Sequence, residues 1–288
     1  MKEKTEEVMK KIMPNGRAMI LAYDQGFEHG PRDFLENPES ANPEYIINLA
    51  KEGGFTGIVL HKGIAEKYQE KIEKAGIPLI LKLNGKSELY TEEDPYSPQL
   101  YSVQEAISLG ASAVGYTVYS GSKFEDEMNR EFARIIGKAH ASGILAIGWM
   151  YPRGKSLFDR KSSSKTLKMA LEEQEGSNLA IDETPSIVAY GARIGLELGA
   201  DIVKVKYTGS AESFRWVVES AFPTKVVMSG GPITKTDEEF LSRVRDVLAA
   251  GAAGIAVGRN VWQRKDPLDI SRKLHQIIFG PWPIELWN

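Results

Sequence analysis

Three segments share one construction. "ISLGASAVGYTVY" (107–119), "LELGADIVKVKYTG" (196–209) and "LAAGAAGIAVGRN" (248–260) each run from a helix-like stretch to a glycine, through one or two small residues, into an apolar run. Glycine just past a helix adopts the left-handed conformation without a Cβ penalty, so the chain can turn directly into the next strand. "LAKEGGFTGIVLH" (49–61) is a looser fourth copy. A chain made of such joints alternates helix with strand, and regular alternation builds parallel sheets.

Short apolar runs mark strands at about 18–23, 57–61, 78–83, 112–117, 143–149, 201–206, 225–229 and 253–257. Amphipathic stretches fill most intervals, for instance 124–141, 186–199 and 237–250. Near-continuous hydrophobicity is what strands covered on both faces require, and eight such units suit a closed barrel. An open doubly wound sheet would carry a glycine-rich loop after its first strand. Here that strand enters "DQGFEHGP", which lacks the GxGxxG spacing. The expectation is therefore an α/β fold, a single-domain (β/α)₈ TIM barrel over residues 1–288, entered through the charged helix of "MKEKTEEVMKKIM".

Two segments exceed the minimal barrel. Residues 154–183 separate strand 5 from its helix and are expected to be a lid, an extra helix or a mobile excursion, far longer than an ordinary βα connection. Thr184-Pro185 supplies a capping residue and an N1 proline for the helix that follows. The tail 279–288, "FGPWPIELWN", carries aromatics suited to docking on the barrel or on another subunit.

A net charge of −3 gives no basic excess for nucleic acid, and no apolar run approaches the roughly 20 residues of a membrane helix. A cytoplasmic protein without nucleic-acid or membrane partners is expected. The chain has no cysteine and four histidines, so thiol chemistry is excluded and a metal cluster is poorly supplied. His29 and His61 follow strands 1 and 2. With Asp24 or Glu28 they suit hydrogen bonding better than metal ligation, and no cofactor is expected.

Strand alternation points Ile202, Lys204 and Lys206 to one face and Val203 and Val205 to the other. The valines suit the helix-covered exterior, which sends both lysines inward near the C-terminal mouth, where barrel active sites form. The same parity groups Asp24 with Ile20 and Ala22, Lys82 with Ile80 and Asn84, and Trp149 with Tyr151. A desolvated lysine beside another cation loses proton affinity, and its free amine can attack a carbonyl to form an electron-withdrawing iminium. The plainer reading is a buried ion pair with Asp24. After strands 7 and 8, Ser229, Gly230 and Gly231 in "VVMSGGP" and Gly258 and Arg259 in "IAVGRN" expose backbone N–H groups, with helices following, at the fold's usual phosphate site.

Taken together, "LAYDQGFEHGP", "LKLNG", "GASAVGYTVYSGS", "GWMYPRG", "GADIVKVKYTG", "VVMSGGP" and "GIAVGRNVWQR", in order from about residue 18 to 264, resemble the archaeal-type class I fructose-bisphosphate aldolases of the DhnA family. The resemblance implies a metal-independent Schiff-base enzyme that cleaves fructose 1,6-bisphosphate to dihydroxyacetone phosphate and glyceraldehyde 3-phosphate. It implies Lys204 as the Schiff-base lysine, with Lys206 held in reserve, Tyr151 for proton transfer, Trp149 lining the pocket, Asp24 as the strand-1 carboxylate and His29 as a substrate contact. Lys82 joins the substrate-binding set. Phosphate binding carries over to Ser229, Gly230, Gly231, Gly258 and Arg259, and a homo-oligomer is implied as well. For the second phosphate, Arg153, Arg160, Lys161 and Lys165 are candidates. Two other readings stay open: a transaldolase-like or thiolase-like enzyme acting on another phosphorylated ketone, and a non-catalytic sugar-phosphate-binding protein.

Overall fold

The structure, a computed structural model, describes residues 2–90 and 93–280. Eight strands form one closed, all-parallel barrel: β1 (Ala18–Ala22), β2 (Gly57–His61), β3 (Leu79–Lys82), β4 (Ala113–Val118), β5 (Leu145–Met150), β6 (Ile202–Val205), β7 (Lys225–Ser229) and β8 (Gly254–Val257). Strand order follows the sequence, and β8 closes on β1 through Ala18↔Gly254 to Leu21↔Val257. The expected strands agree with the observed ones to within two residues at each end. The repeated joints owe their sharpness to positive φ at their glycines: Gly110 at 73°, Gly199 at 96° and Gly251 at 93°.

Alternation sorts the core into two layers. Ile20, Val59, Ile80, Ala113, Ile147, Ile202 and Val227 fill the interior. Leu21, Leu60, Leu81, Val114, Val203, Val205 and Met228 face the ring of helices. At the N-terminal end, the helix Lys2–Ile12 delivers Ile12 and Met13, both buried, into the interior cluster as a plug. The opposite end is left for polar groups.

The 154–183 segment is an ordered helical excursion. It contains the helix Lys165–Glu175, and Leu157, Leu167, Ala170 and Ile181 bury against Ile187 of the helix Pro185–Leu198 as a separate apolar cluster. Ser164 caps the excursion's helix by accepting from Leu167 N. Thr184 does precede a helix with Pro185 in its first turn, but its hydroxyl donates to Ile181 O and makes no cap bond. From residue 281 onward the tail expected at 279–288 lies outside the described residues.

Candidate active site

One cavity of about 860 Å³ opens at the C-terminal mouth. Asp24, His29, Lys82, Trp149, Tyr151, Lys204, Lys206, Ser229, Gly230, Gly231, Gly258 and Arg259 all contribute to its wall, so these residues singled out in the sequence are brought to one space. They are not equivalent there.

Lys204 is the third residue of β6, inward-facing and 5 % exposed. Its Nζ lies 5.0 Å from the centroid of the Trp149 ring, the neighbour set by the β5–β6 register Trp149↔Lys204. The indole has room because β4 carries Gly115 opposite it: a Cβ there would lie 2.4 Å from a Trp149 ring carbon. Burial pushes the Lys204 ammonium down to about 8. Attraction from Asp24 works against this, and repulsion from Lys82 and Arg259 reinforces it. Among the described residues Lys204 Nζ has no hydrogen-bond or ion-pair partner.

The second cation in the interior is Lys82 and not Lys206. β6 ends at Val205, so alternation no longer governs residue 206. Its amine turns to the rim, 2.5 Å from Asp182 and 3.8 Å from Glu183, and ties the excursion to the end of β6. Lys82, the last residue of β3, is also pushed down to about 8 by burial, against attraction from Asp24 and Glu28. Its Nζ donates to the backbone O and to Oδ1 of Asn84, both at 2.9 Å, and lies 5.7 Å from the Trp149 centroid.

Tyr151 follows β5 and lines the cavity beside Ser229. Burial, then the charge of Asp24, pushes its phenol well above the usual range, so it holds its proton at neutral pH. His29 pairs with Asp33 at 2.7 Å, and Asp33 also anchors Arg259 at 3.7 Å. His61 Nε2 donates to the Asp24 carbonyl at 3.1 Å, and burial holds its imidazole neutral, down at about 4. Among the described residues no group of three His, Asp or Glu side chains could hold a metal ion.

The loops after β7 and β8 continue the wall next to β6. Gly258 sits so close to Ala22 O that a Cβ would be 2.5 Å from it. Asn260, fully buried, donates to Gly230 O and Pro232 O, each at 2.8 Å, and accepts from Thr234 N at 2.9 Å. It fixes the Gly-Gly turn, a role sequence reasoning missed although the residue stands in the quoted "GRN". The long helix after β7 starts only at Asp237, with Asp237, Glu238 and Glu239 in its first turn, so its N-terminus is already neutralised. The expected contribution of that helix to anion binding is therefore not supported.

Of the four candidates for a second phosphate, Arg153 alone reaches the cavity wall, where it and Lys86 share Glu28 at 3.0 and 3.6 Å. Arg160 is exposed and pairs with Glu175, while Lys161 and Lys165 are exposed and outside the cavity.

Comparison with known proteins supplies four likenesses. A family model described as DeoC/LacD family aldolase matches residues 18–264. The chain is 50 % identical over 277 residues to fructose-bisphosphate aldolase class 1 of Thermoproteus tenax, covering 96 % of this chain and 95 % of that one. It is 40 % identical over 268 residues to the protein of the same description from Halobacterium salinarum, covering 93 % and 92 %. A solved archaeal fructose-1,6-bisphosphate aldolase, with its catalytic Lys covalently bound to the carbinolamine intermediate of the substrate, superposes with a TM-score of 0.83 at 48 % identity, covering 96 % of this chain and all of that one.

Proposed function

Because the chain belongs to the DeoC/LacD family of aldolases, we propose that it is a class I fructose-1,6-bisphosphate aldolase that works through a Schiff base on Lys204. The observation that carries this reading is the Lys204 amine itself, desolvated, unpartnered and lining one cavity with the Gly230-Gly231 and Gly258-Arg259 loops. An amine with a pKa near 8 is uncharged in roughly a tenth of molecules at pH 7, against a few in ten thousand for a solvated lysine.

The loop amides and Arg259 hold the phosphate on C1, so that attack by Lys204 on the C2 carbonyl becomes effectively intramolecular. The carbinolamine loses water to give the iminium. As the C3–C4 bond breaks, its electron pair passes into the iminium to give an enamine, and the C4 hydroxyl gives its proton to Asp24. Glyceraldehyde 3-phosphate departs. The phenol of Tyr151, kept protonated by burial, delivers a proton to C3 and is recharged from Asp24. Addition of water to the iminium then releases dihydroxyacetone phosphate and the free amine. Trp149 forms the apolar wall beside the amine, and His29, Lys82 and Ser229 complete the substrate pocket.

Such an enzyme serves glycolysis and gluconeogenesis in the cytoplasm; no described helix is long and apolar enough to cross a membrane. A homo-oligomer is supported by apolar side chains on the outer helices, Tyr190, Trp216 and Phe222, each more than half exposed. Incubation with dihydroxyacetone phosphate and borohydride, followed by peptide mass spectrometry, tests the chemistry. An adduct on Lys204 is expected, and no adduct at any pH would overturn the mechanism.

A further inference from the structure

Two buried amines and one shared carboxylate pose a problem that the Lys204 mechanism depends on. Asp24 attracts both Lys82 and Lys204, and one carboxylate offsets only one of two neighbouring ammonium charges. One amine must therefore release its proton more readily than the other. The side chains of the two lysines are the same, so their surroundings decide which.

Asn84 breaks the tie. It is fully buried just past β3, bridged to Gln99 across an isolated antiparallel pair. Its Nδ2 donates to Ser97 O at 2.8 Å and to Thr117 O at 2.9 Å, and its Oδ1 accepts from Thr117 N at 2.8 Å. Those three bonds fix which end of the amide is oxygen, because two carbonyls can be answered only by the NH₂. What then faces Lys82 is a pair of acceptors, Oδ1 and the backbone O, each at 2.9 Å. Acceptors favour an ammonium over an amine. Lys204 has none. Both nitrogens lie beside the one indole, Lys82 at 5.7 Å and Lys204 at 5.0 Å from its centroid.

We propose that Asn84 is a positioning residue for the reaction: by holding Lys82 as the cation beside Trp149, it makes Lys204 the amine that releases its proton first. The inference rests on the aldolase reading above. The other charged groups do not reverse the assignment. Lys204 also faces Arg259, a cation held by Asp33. Lys82 also faces Glu28, which reinforces its charge, and His61, which is neutral.

The test follows the rate of borohydride-trapped adduct formation on Lys204 with dihydroxyacetone phosphate as a function of pH. In wild type the rate should rise with a midpoint near 8. In Lys82→Met the midpoint should move up by about one pH unit, so trapping falls about tenfold at pH 7 and recovers near pH 10. Lys82→Arg, a permanent cation, should restore the wild-type midpoint. Asn84→Asp, which neutralises Lys82, should move it in the same direction as Lys82→Met; if that variant does not fold, the Lys82 pair decides alone. An unchanged midpoint in Lys82→Met, with equal loss at every pH, overturns the inference, as does a Lys82→Arg midpoint that matches Lys82→Met. Absence of any adduct in wild type is a different result, which overturns the aldolase reading and the inference with it.

Discussion

Replacing Lys204 by methionine should abolish aldol cleavage and, at the same time, make the fold more stable. Burial holds the folded ammonium at about 8, against 10.5 for a solvated lysine. At about 1.4 kcal/mol per pH unit, this difference costs the fold about 3 kcal/mol at neutral pH. The sign follows from proton binding. Between pH 8 and 10.5 the unfolded chain holds a proton that the folded chain has released, so wild-type stability rises with pH across that window. The penalty is complete below about 8 and gone above 10.5. Methionine is unbranched, apolar and similar in length, and its sulfur sits well against an indole, so it fills the space beside Trp149 without the charge. Urea denaturation at pH 7 should show the variant more stable by about 3 kcal/mol, several degrees in Tm for a chain of this size. The gap should close as pH approaches 10.5. A variant no more stable than wild type at pH 7, or a gap indifferent to pH, refutes the claim that this ammonium is held against its solvation.

Three further outcomes can be checked directly. Gly115→Ala drives a methyl to 2.4 Å from the Trp149 ring, so the indole must shift beside both lysines; kcat should fall at least about tenfold with about 1–3 kcal/mol of overpacking, read by kinetics and thermal denaturation. Lys206→Ala breaks the partly exposed pair with Asp182 and should cost about 1 kcal/mol while the borohydride adduct still forms on Lys204; loss of the adduct would make Lys206 the nucleophile. Asn260→Ala frees the Gly230 and Pro232 carbonyls and should raise KM for the bisphosphate about tenfold or more with a smaller change in kcat; equal loss in both would place the loop in the chemical step.

The barrel was legible because its signals are local. A glycine after a helix and an alternating strand each declare themselves within a dozen residues, and parity alone sent Lys204 inward. The same rule failed one step later, at Lys206, because the strand stops at Val205 and a rule of strands does not extend past their end. Lys82 became the second cation through strand pairing, which sets β3 two strands from β5 with Gly115 of β4 between them, a relation no short stretch contains. Apart from the contact of Asn84 with Lys82, Asn84 and Asn260 are held by long-range bonds to backbone groups 13 to 33 residues away, so their placement is invisible until the chain is folded. The 154–183 excursion kept its helix hidden among serines and charges, and only its small apolar cluster with Ile187 reveals why it is ordered.

The last strand, Gly254–Val257, zips against the first, Ala18–Ala22, and only then does the mouth of the barrel exist. A half-made chain on the ribosome therefore carries Lys204 as an ordinary, protonated lysine, no more prone than any other to react with the sugars and aldehydes around it. The cavity that gathers Lys204, Lys82 and Asp24 is thus a property of the completed ring of strands, and of no fragment that lacks its last one.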